Sequence, residues 1–171
     1  GHLNKVGGVG YWQCDPHNNH RWHCNAGLEL ATLAAYEGNP AEEWILRKAY
    51  DELAFVANWL PPDGTSHESS TYLVFGASHL ALAMQAADRC FGTTYLDLPF
   101  FRETGSYRVQ LLTPGLRGTF PFGDASGNGI YNHFAMLSAS RHGQADVQAA
   151  LDQFYSRDGD AFQYGWFGVL W

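Results

Sequence analysis

Three histidines, two asparagines, an arginine and a tryptophan stand within ten residues, 15–24, directly ahead of an apolar segment. His20 and His23 are three residues apart, so they would share one face of a helix that begins near Asn19. Imidazole and amide groups form directional hydrogen bonds, and imidazole exchanges a proton near neutral pH. This density of polar groups predicts a site for ligand binding or proton transfer.

A second set of polar residues follows a helical spacing. Glu68, Tyr72, Gly76 and His79 are four, four and three residues apart, which predicts one polar line on an apolar helix, with open space at Gly76 beside the phenol. A tyrosine in such a line can transfer a proton if a nearby cation lowers its pKa from about 10 towards neutral. Structural interpretations stay open: Glu68 could be the capping-box partner of Thr65, Tyr72 a core ring, and His79 a hydrogen-bonded core histidine.

Histidines at 17, 20 and 23 could also ligate zinc. No carboxylate or cysteine pair at a familiar metal-ligand spacing accompanies them, so we expect no metal and no cofactor. The three cysteines are too few and too scattered for a disulfide framework, and we expect idle or buried thiols.

Composition narrows the class of protein. The 171 residues are 46% hydrophobic and 16% charged, which indicates a globular domain and excludes disorder and coiled coil. The net charge of −7 argues against a nucleic-acid partner, and no apolar run reaches the roughly 18 residues that a membrane span needs. Because the chain opens at Gly1 and stops inside the apolar run 165–171, we expect a fragment of a longer protein.

Helical signals recur along the first two thirds of the chain. Asn39, Pro40 and Glu42 have the order of an N-cap, a first helical residue and a capping-box acid. Thr65 and Glu68 have the same spacing. Helices are predicted over about 22–36, 40–60, 72–90 and 96–112, although 109–112 equally fits a short strand.

The segment 114–129 is rich in glycine and proline, which predicts a long loop of the kind that often carries function. Helices are expected again over 130–141, 145–155 and 161–171. The chain has neither strand–helix alternation nor heptads. We therefore predict an all-α fold of helical hairpins stacked into a solenoid or toroid.

The order of several short motifs resembles that of the heparinase II/III-like polysaccharide lyases. The resemblance covers the chain from about residue 11 to the end. Its motifs are the segments 18–22, 24–28, 62–64, 112–115 and 122–124, together with Glu68 and Tyr72.

The resemblance implies an incomplete (α/α) toroid that is followed by β-sandwich layers, and cleavage of uronate-containing polysaccharides by β-elimination. Residues 1–171 would then be a partial toroid domain that lacks its first helices and the β-sandwich domain of the same parent chain. It further implies an acidic polysaccharide or oligosaccharide as partner, a periplasmic or secreted location, and a further catalytic histidine of some relatives in the missing part.

Site roles carry over by position. Asn19 and His20 match the residues that neutralise the uronate carboxylate, Tyr72 matches the general base and acid, and His20 is the alternative base. Since the chain is acidic, a local positive groove of arginines 21, 108 and 117 together with protonated histidines is expected. The predicted substrate contacts are Trp12, Arg21, Trp22, His23, Glu68 and His79.

Two other classes of function stay open. A glycoside hydrolase on a helical toroid would need two carboxylates roughly 5 to 9.5 Å apart, for which Asp63, Glu68 and Asp124 are the candidates. A noncatalytic sugar-binding module would use the aromatic and histidine side chains only as contacts.

Overall fold

The computed structural model describes residues 5–6, 9–125 and 133–157. Within these ranges the fold is all-α, as predicted, and none of the helices has the length and apolar character needed to cross a membrane. A minimal antiparallel ladder, β1 (Lys5–Val6) with β2 (Val9–Gly10), precedes the helices. The α-helices are α1 (Asn19–Ala34), α2 (Pro40–Ala57), α3 (Ser70–Phe91), α4 (Pro99–Gln110), α5 (His133–His142) and α6 (Ala145–Arg157), with short 3-10 turns at Tyr11–Cys14 and Tyr95–Asp97.

The chain divides into two compact units. The first unit comprises residues 1–60 and 75–98, and therefore holds α1, α2 and most of α3. The second comprises residues 61–74 and 99–171, and holds the start of α3 together with α4, α5 and α6. The single toroid domain over 1–171 stays a prediction.

Helix α2 begins as its sequence predicts. The Asn39 side-chain oxygen accepts hydrogen bonds from the backbone N–H groups of Ala41 (3.1 Å) and Glu42 (3.0 Å). In return, the Glu42 carboxylate accepts from the Asn39 N–H at 3.3 Å, which completes the capping box. The apolar face of α2 buries Ala49, Leu53 and Val56 in the first unit.

Helix α1 begins three residues before the predicted position 22. Asn18 is its N-cap, and its side-chain oxygen accepts from the His20 N–H at 2.9 Å. Asn19 is consequently the first helical residue, and His20 and Arg21 lie in the first turn. The part of the polar segment from Asn19 onwards therefore belongs to the helix itself, and residues 15–18 precede it.

Helix α3 begins at Ser70, so the capping box expected between Thr65 and Glu68 is wrong. Thr65 instead donates its N–H (3.2 Å) and hydroxyl (2.8 Å) to Asp63 in the preceding turn. The side chain of Ser69 takes the capping position, because its hydroxyl accepts from the Tyr72 N–H at 3.2 Å. Glu68 therefore precedes the helix rather than opening its polar line.

In the second unit, α4 covers most of the predicted helix 96–112. The alternative prediction of a short strand at 109–112 is matched only by an isolated β-bridge between Leu112 and Thr119. Phe101 packs against Phe134 of α5 with 6.1 Å between ring centroids. The predictions for 130–141 and 145–155 match α5 and α6 where they are described, whereas 126–132 and 161–171 lie outside the described residues.

Candidate functional site

The first unit brings three predicted site residues together, and we call His20, His23 and His79, with the ring of Phe75, the imidazole cluster. The His23 ring centroid lies 5.3 Å from that of His20, 6.1 Å from that of His79 and 4.9 Å from that of Phe75. His20 is exposed, and His23 and His79 are half-buried. Side chains from two helices thus form one solvent-accessible group of proton carriers.

A close helix contact explains why the cluster forms. A Cβ atom on Gly76 would lie 2.9 Å from both Asn19 Cβ and Trp22 Cε3, so α1 and α3 touch at Gly76. The open space expected at Gly76 is therefore filled by α1. Since His23 follows Asn19 by one helical turn and His79 follows Gly76 by nearly one turn, this contact sets the two imidazoles side by side.

Two imidazoles of the cluster are held by the same kind of hydrogen bond. His23 Nδ1 lies 2.9 Å from the Asn19 carbonyl oxygen, and His79 Nδ1 lies 2.7 Å from the Phe75 carbonyl oxygen. A carbonyl oxygen only accepts, so Nδ1 carries the proton in both rings. In the neutral rings the lone pair is therefore on Nε2.

His23 is biased towards the neutral form. Burial lowers its pKa, repulsion from His20 and His79 lowers it further, and the hydrogen bond to the Asn19 carbonyl acts in the opposite direction. Near neutral pH the ring is an unprotonated base.

Asn19 and Trp22 are packing residues in this structure. Trp22 is 2% exposed and its indole N–H donates to the Pro16 carbonyl at 2.7 Å, so no face of the ring is open for a sugar to stack upon. Asn19 is 3% exposed and forms the contact with Gly76. The burial of Trp22 argues against its predicted substrate contact, whereas the contact of Asn19 with a carboxylate stays a prediction.

Arg21 joins α1 to α2 instead of facing solvent. Its Nε and Nη2 donate to Glu52 Oε2 at 3.0 and 2.7 Å, and its Nη1 donates to the Gln13 carbonyl at 2.6 Å. The guanidinium carbon also lies 4.4 Å from the ring centroid of Phe55. The burial of Arg21 and its ion pair with Glu52 argue against the predicted substrate contact.

The expected positive groove is not supported either. In the second unit Arg108 is buried, and burial lowers its pKa to about 10. Arg117 is exposed. With Arg21 and Arg108 buried, two of the three proposed arginines lack the solvent access that an anionic polymer requires.

In the second unit, Tyr72 lies half-buried in the first turn of α3. The preceding Ser69 is fully buried with a backbone φ of 139°, a conformation that a residue other than glycine rarely adopts. A Cβ atom on Gly123 would lie 2.8 Å from the Glu68 carbonyl oxygen, so the loop at 122–124 packs directly on this segment. Strained backbone of this kind clusters at functional sites, and the sequence offers no signal for it.

The other predicted substrate contact in the N-terminal segment and the candidate carboxylates lie at or near the protein surface. Trp12 is half-buried in the 3-10 turn before α1, Glu68 is half-buried, and Asp63 and Asp124 are exposed. Hydrogen bonds from Thr65 hold the pKa of Asp63 below its usual range, which does not suit a general acid. This arrangement gives no specific support to a carboxylate pair.

The zinc interpretation of the three N-terminal histidines finds no support. His17 Nε2 lies 2.7 Å from the Trp59 carbonyl oxygen, away from the imidazole cluster. Across the ranges that the structure describes, no three histidine, cysteine, aspartate or glutamate side chains are grouped so as to hold a metal ion. The three cysteines are exposed and form no disulfide.

Glu29 on α1 is a titratable residue that no pattern in the sequence marks as functional. It has no exposed surface, and its two carboxyl oxygens have no hydrogen-bond partner among the described residues. Burial raises its pKa to about 8. In the sequence, Glu29 follows Ala26 on the same face of the helix. That pattern does not show whether the carboxyl group of Glu29 is buried or exposed.

A scan against protein-family models and searches of curated proteins and solved structures find no match to this chain. The resemblance to heparinase II/III-like lyases therefore stays a prediction that depends on the motif order alone.

Proposed function

We propose that this chain is part of a polysaccharide lyase that cleaves a uronate-containing polymer by β-elimination. The observation that carries the proposal is the imidazole cluster, in which an exposed His20 lies beside a half-buried His23 of lowered pKa. Elimination needs a group that neutralises the substrate carboxylate, a base and an acid. A cluster of imidazoles supplies groups suited to each of these tasks at near-neutral pH.

The first task is to make the C5 proton of the uronate acidic by neutralising the adjacent carboxylate. His20 lies in the first turn of the 16-residue helix α1, where the positive end of the helix dipole favours an anion. We assign this task to His20, with Asn19 beside it as the resemblance implies. Each preorganised donor of this type stabilises a transition state by on the order of 3 kcal/mol.

The assignment of Tyr72 as general acid and base depends on the resemblance, because Tyr72 belongs to the second unit. Its support in that unit is local. The Tyr72 backbone is held by the buried Ser69 at the start of α3, and the hydroxyl of Ser70 is hydrogen-bonded to that of Thr119 at 2.8 Å. A rigid first turn is the kind of support that a catalytic side chain needs.

The partner in this proposal is an acidic polysaccharide or oligosaccharide, and the location is periplasmic or secreted. The β-sandwich domain of the parent chain would complete the enzyme. Because the overall charge is −7 and both Arg21 and Arg108 are buried, we assign the contact with the substrate carboxylate to the exposed His20 rather than to an arginine.

A noncatalytic sugar-binding module is the second candidate. Exposed indoles favour it, since Trp44 is 63% and Trp59 is 53% exposed in the first unit. Open aromatic faces are suited to stacking on sugar rings without any chemistry. In that case the imidazole cluster would only contact the sugar.

One assay separates the candidates. The full-length parent protein is incubated with alginate, heparan, ulvan and glucuronan. Unsaturated uronate is followed by its ultraviolet absorbance, and new reducing ends are counted in the same samples. A lyase forms both in equal amounts, a hydrolase forms only reducing ends, and a binding module forms neither while it still binds polymer. His20→Gln is expected to abolish the unsaturated product. His17→Gln is the matched control, because His17 lies outside the cluster.

A further inference from the structure

The proposed function gives the role of proton acceptor to Tyr72 on the resemblance alone, and the hydrogen bonds of the imidazole cluster point to a different residue. His23 and His79 both donate from Nδ1 to the carbonyl four residues earlier. Among the described residues none forms a hydrogen bond with Nε2 of His23. We propose that His23 is the general base of the site and that its Nε2 is the atom that accepts the proton. This inference rests on the proposed function.

Orientation distinguishes His23 from His20. The hydrogen bond of His23 Nδ1 to the Asn19 carbonyl fixes both the tautomer and the plane of the ring. Phe75 packs edge-on against the same ring with an interplanar angle of 66°. His20 is exposed, and within the described part of the chain no hydrogen bond orients its ring. A base must be held in position before the substrate arrives, and this condition is met at His23.

The surroundings of His23 also favour proton release. From α1 it is faced by the Asn19 carbonyl and His20, and from α3 by Phe75 and His79. The titratable groups in this set are both imidazoles, and each opposes a positive charge on His23. The ring is therefore unprotonated before the reaction and loses its new proton readily afterwards.

The proposed step is a β-elimination across C4 and C5 of the uronate. The C5–H bond of the uronate breaks and its proton moves to His23 Nε2. The electron pair forms the C4–C5 double bond while the bond from C4 to the glycosidic oxygen breaks. The leaving oxygen takes a proton from the general acid, the role that the resemblance gives to Tyr72. His23 then gives its proton to solvent, and the acid regains a proton from solvent.

The tautomer and the protonation state of His23 before the reaction can be measured without substrate. Long-range proton–nitrogen NMR of the chain, titrated from acidic to alkaline pH, reports the tautomer and protonation of each imidazole. We expect His23 to be neutral at pH values where ordinary imidazoles are half protonated, with its proton on Nδ1. A proton on Nε2 in the neutral ring, or a ring that is protonated at neutral pH, would overturn the inference.

Kinetics test the role in the reaction. His23→Asn keeps an N–H group near the position of Nδ1 but removes the basic nitrogen, so we expect elimination to fall by about 10²- to 10⁴-fold while the variant still binds polymer. The acidic limb of the pH profile of kcat/KM should disappear with it. His23→Gln is the second variant if His23→Asn does not fold, and His17→Gln is the control.

The two proposals fail in different ways. If the wild-type parent protein releases no unsaturated product from any polymer, the proposed function fails and the elimination step fails with it. If the wild-type parent protein is active and His23→Asn keeps both its rate and its acidic limb, the proposed function stands and His23 is not the base.

Discussion

The Cβ position of Gly76 lies 2.9 Å from the Cβ atom of Asn19, closer than two side chains can approach. Asn19 belongs to the first turn of α1 and Gly76 to α3, so the absence of a side chain at residue 76 lets the two helices touch. The imidazole cluster is built around this contact, since His23 and His79 each follow one of the two residues by about one turn.

Replacement of Gly76 by alanine should destabilise the first unit by about 1–3 kcal/mol, because the new methyl group collides with Asn19 and Trp22. Chemical denaturation measures the loss. Gly27→Ala is the matched control. Gly27 lies inside α1, and a methyl group there would meet no atom within 4 Å beyond its chain neighbours and the nearby backbone of its own helix, so this change should stabilise by about 0.5–1 kcal/mol. Equal stability of the two variants would contradict the close contact.

The ion pair of Arg21 with Glu52 should depend on the shape of the guanidinium. Arg21→Lys loses one of the two donors to Glu52 and the stacking on Phe55, so we expect a loss of about 1–3 kcal/mol in the free energy of unfolding. Arg47→Lys is the control, because the pair of Arg47 with Glu43 is largely exposed and should be worth less than about 1 kcal/mol. Similar losses in the two variants would show that the guanidinium of Arg21 is solvated rather than buried.

Glu29 should make the stability of the first unit fall as pH rises. In the unfolded chain Glu29 ionises near its ordinary pKa of 4.5, whereas the folded chain keeps the proton up to about pH 8. The folded state therefore binds more protons in that window, and its stability decreases by about 1.4 kcal/mol per pH unit before levelling off above pH 8.

The matched variant is Glu29→Gln, which keeps the shape of the side chain and removes the titration. Denaturation of both proteins across this pH window should give a difference in stability that moves in favour of the variant as pH rises. A difference that does not change with pH would show that Glu29 is solvated in the folded state.

Local signals in the sequence predict local structure correctly at α2. The capping box of Asn39 and Glu42 involves residues three apart, and its side chains need no other part of the fold to form their hydrogen bonds. The same reasoning fails at Thr65, because Asp63 competes for its donors and Ser69 takes the capping position. Equal spacing in the sequence therefore does not ensure an equal structure.

Long-range partners explain most of the remaining differences. Arg21 is paired with Glu52, which lies 31 residues away on another helix, so no pattern around Arg21 reveals that its charge is balanced. The gap left by Gly76 is visible as a missing side chain, but only the packed helices show that Asn19 and Trp22 fill it. His20, His23 and His79 are each predicted as site residues from the sequence, and their proximity is a result of that packing.

The central claim is β-elimination of a uronate polymer, and the most direct measurement compares the rates at which the wild-type parent protein and its Tyr72→Phe variant form unsaturated product. The phenylalanine variant keeps the ring and removes the hydroxyl, so polymer binding should persist. We predict product from the wild-type parent protein with at least one uronate polymer and none from Tyr72→Phe. The absence of product from the wild-type parent protein, or an unchanged rate in the variant, would contradict the account.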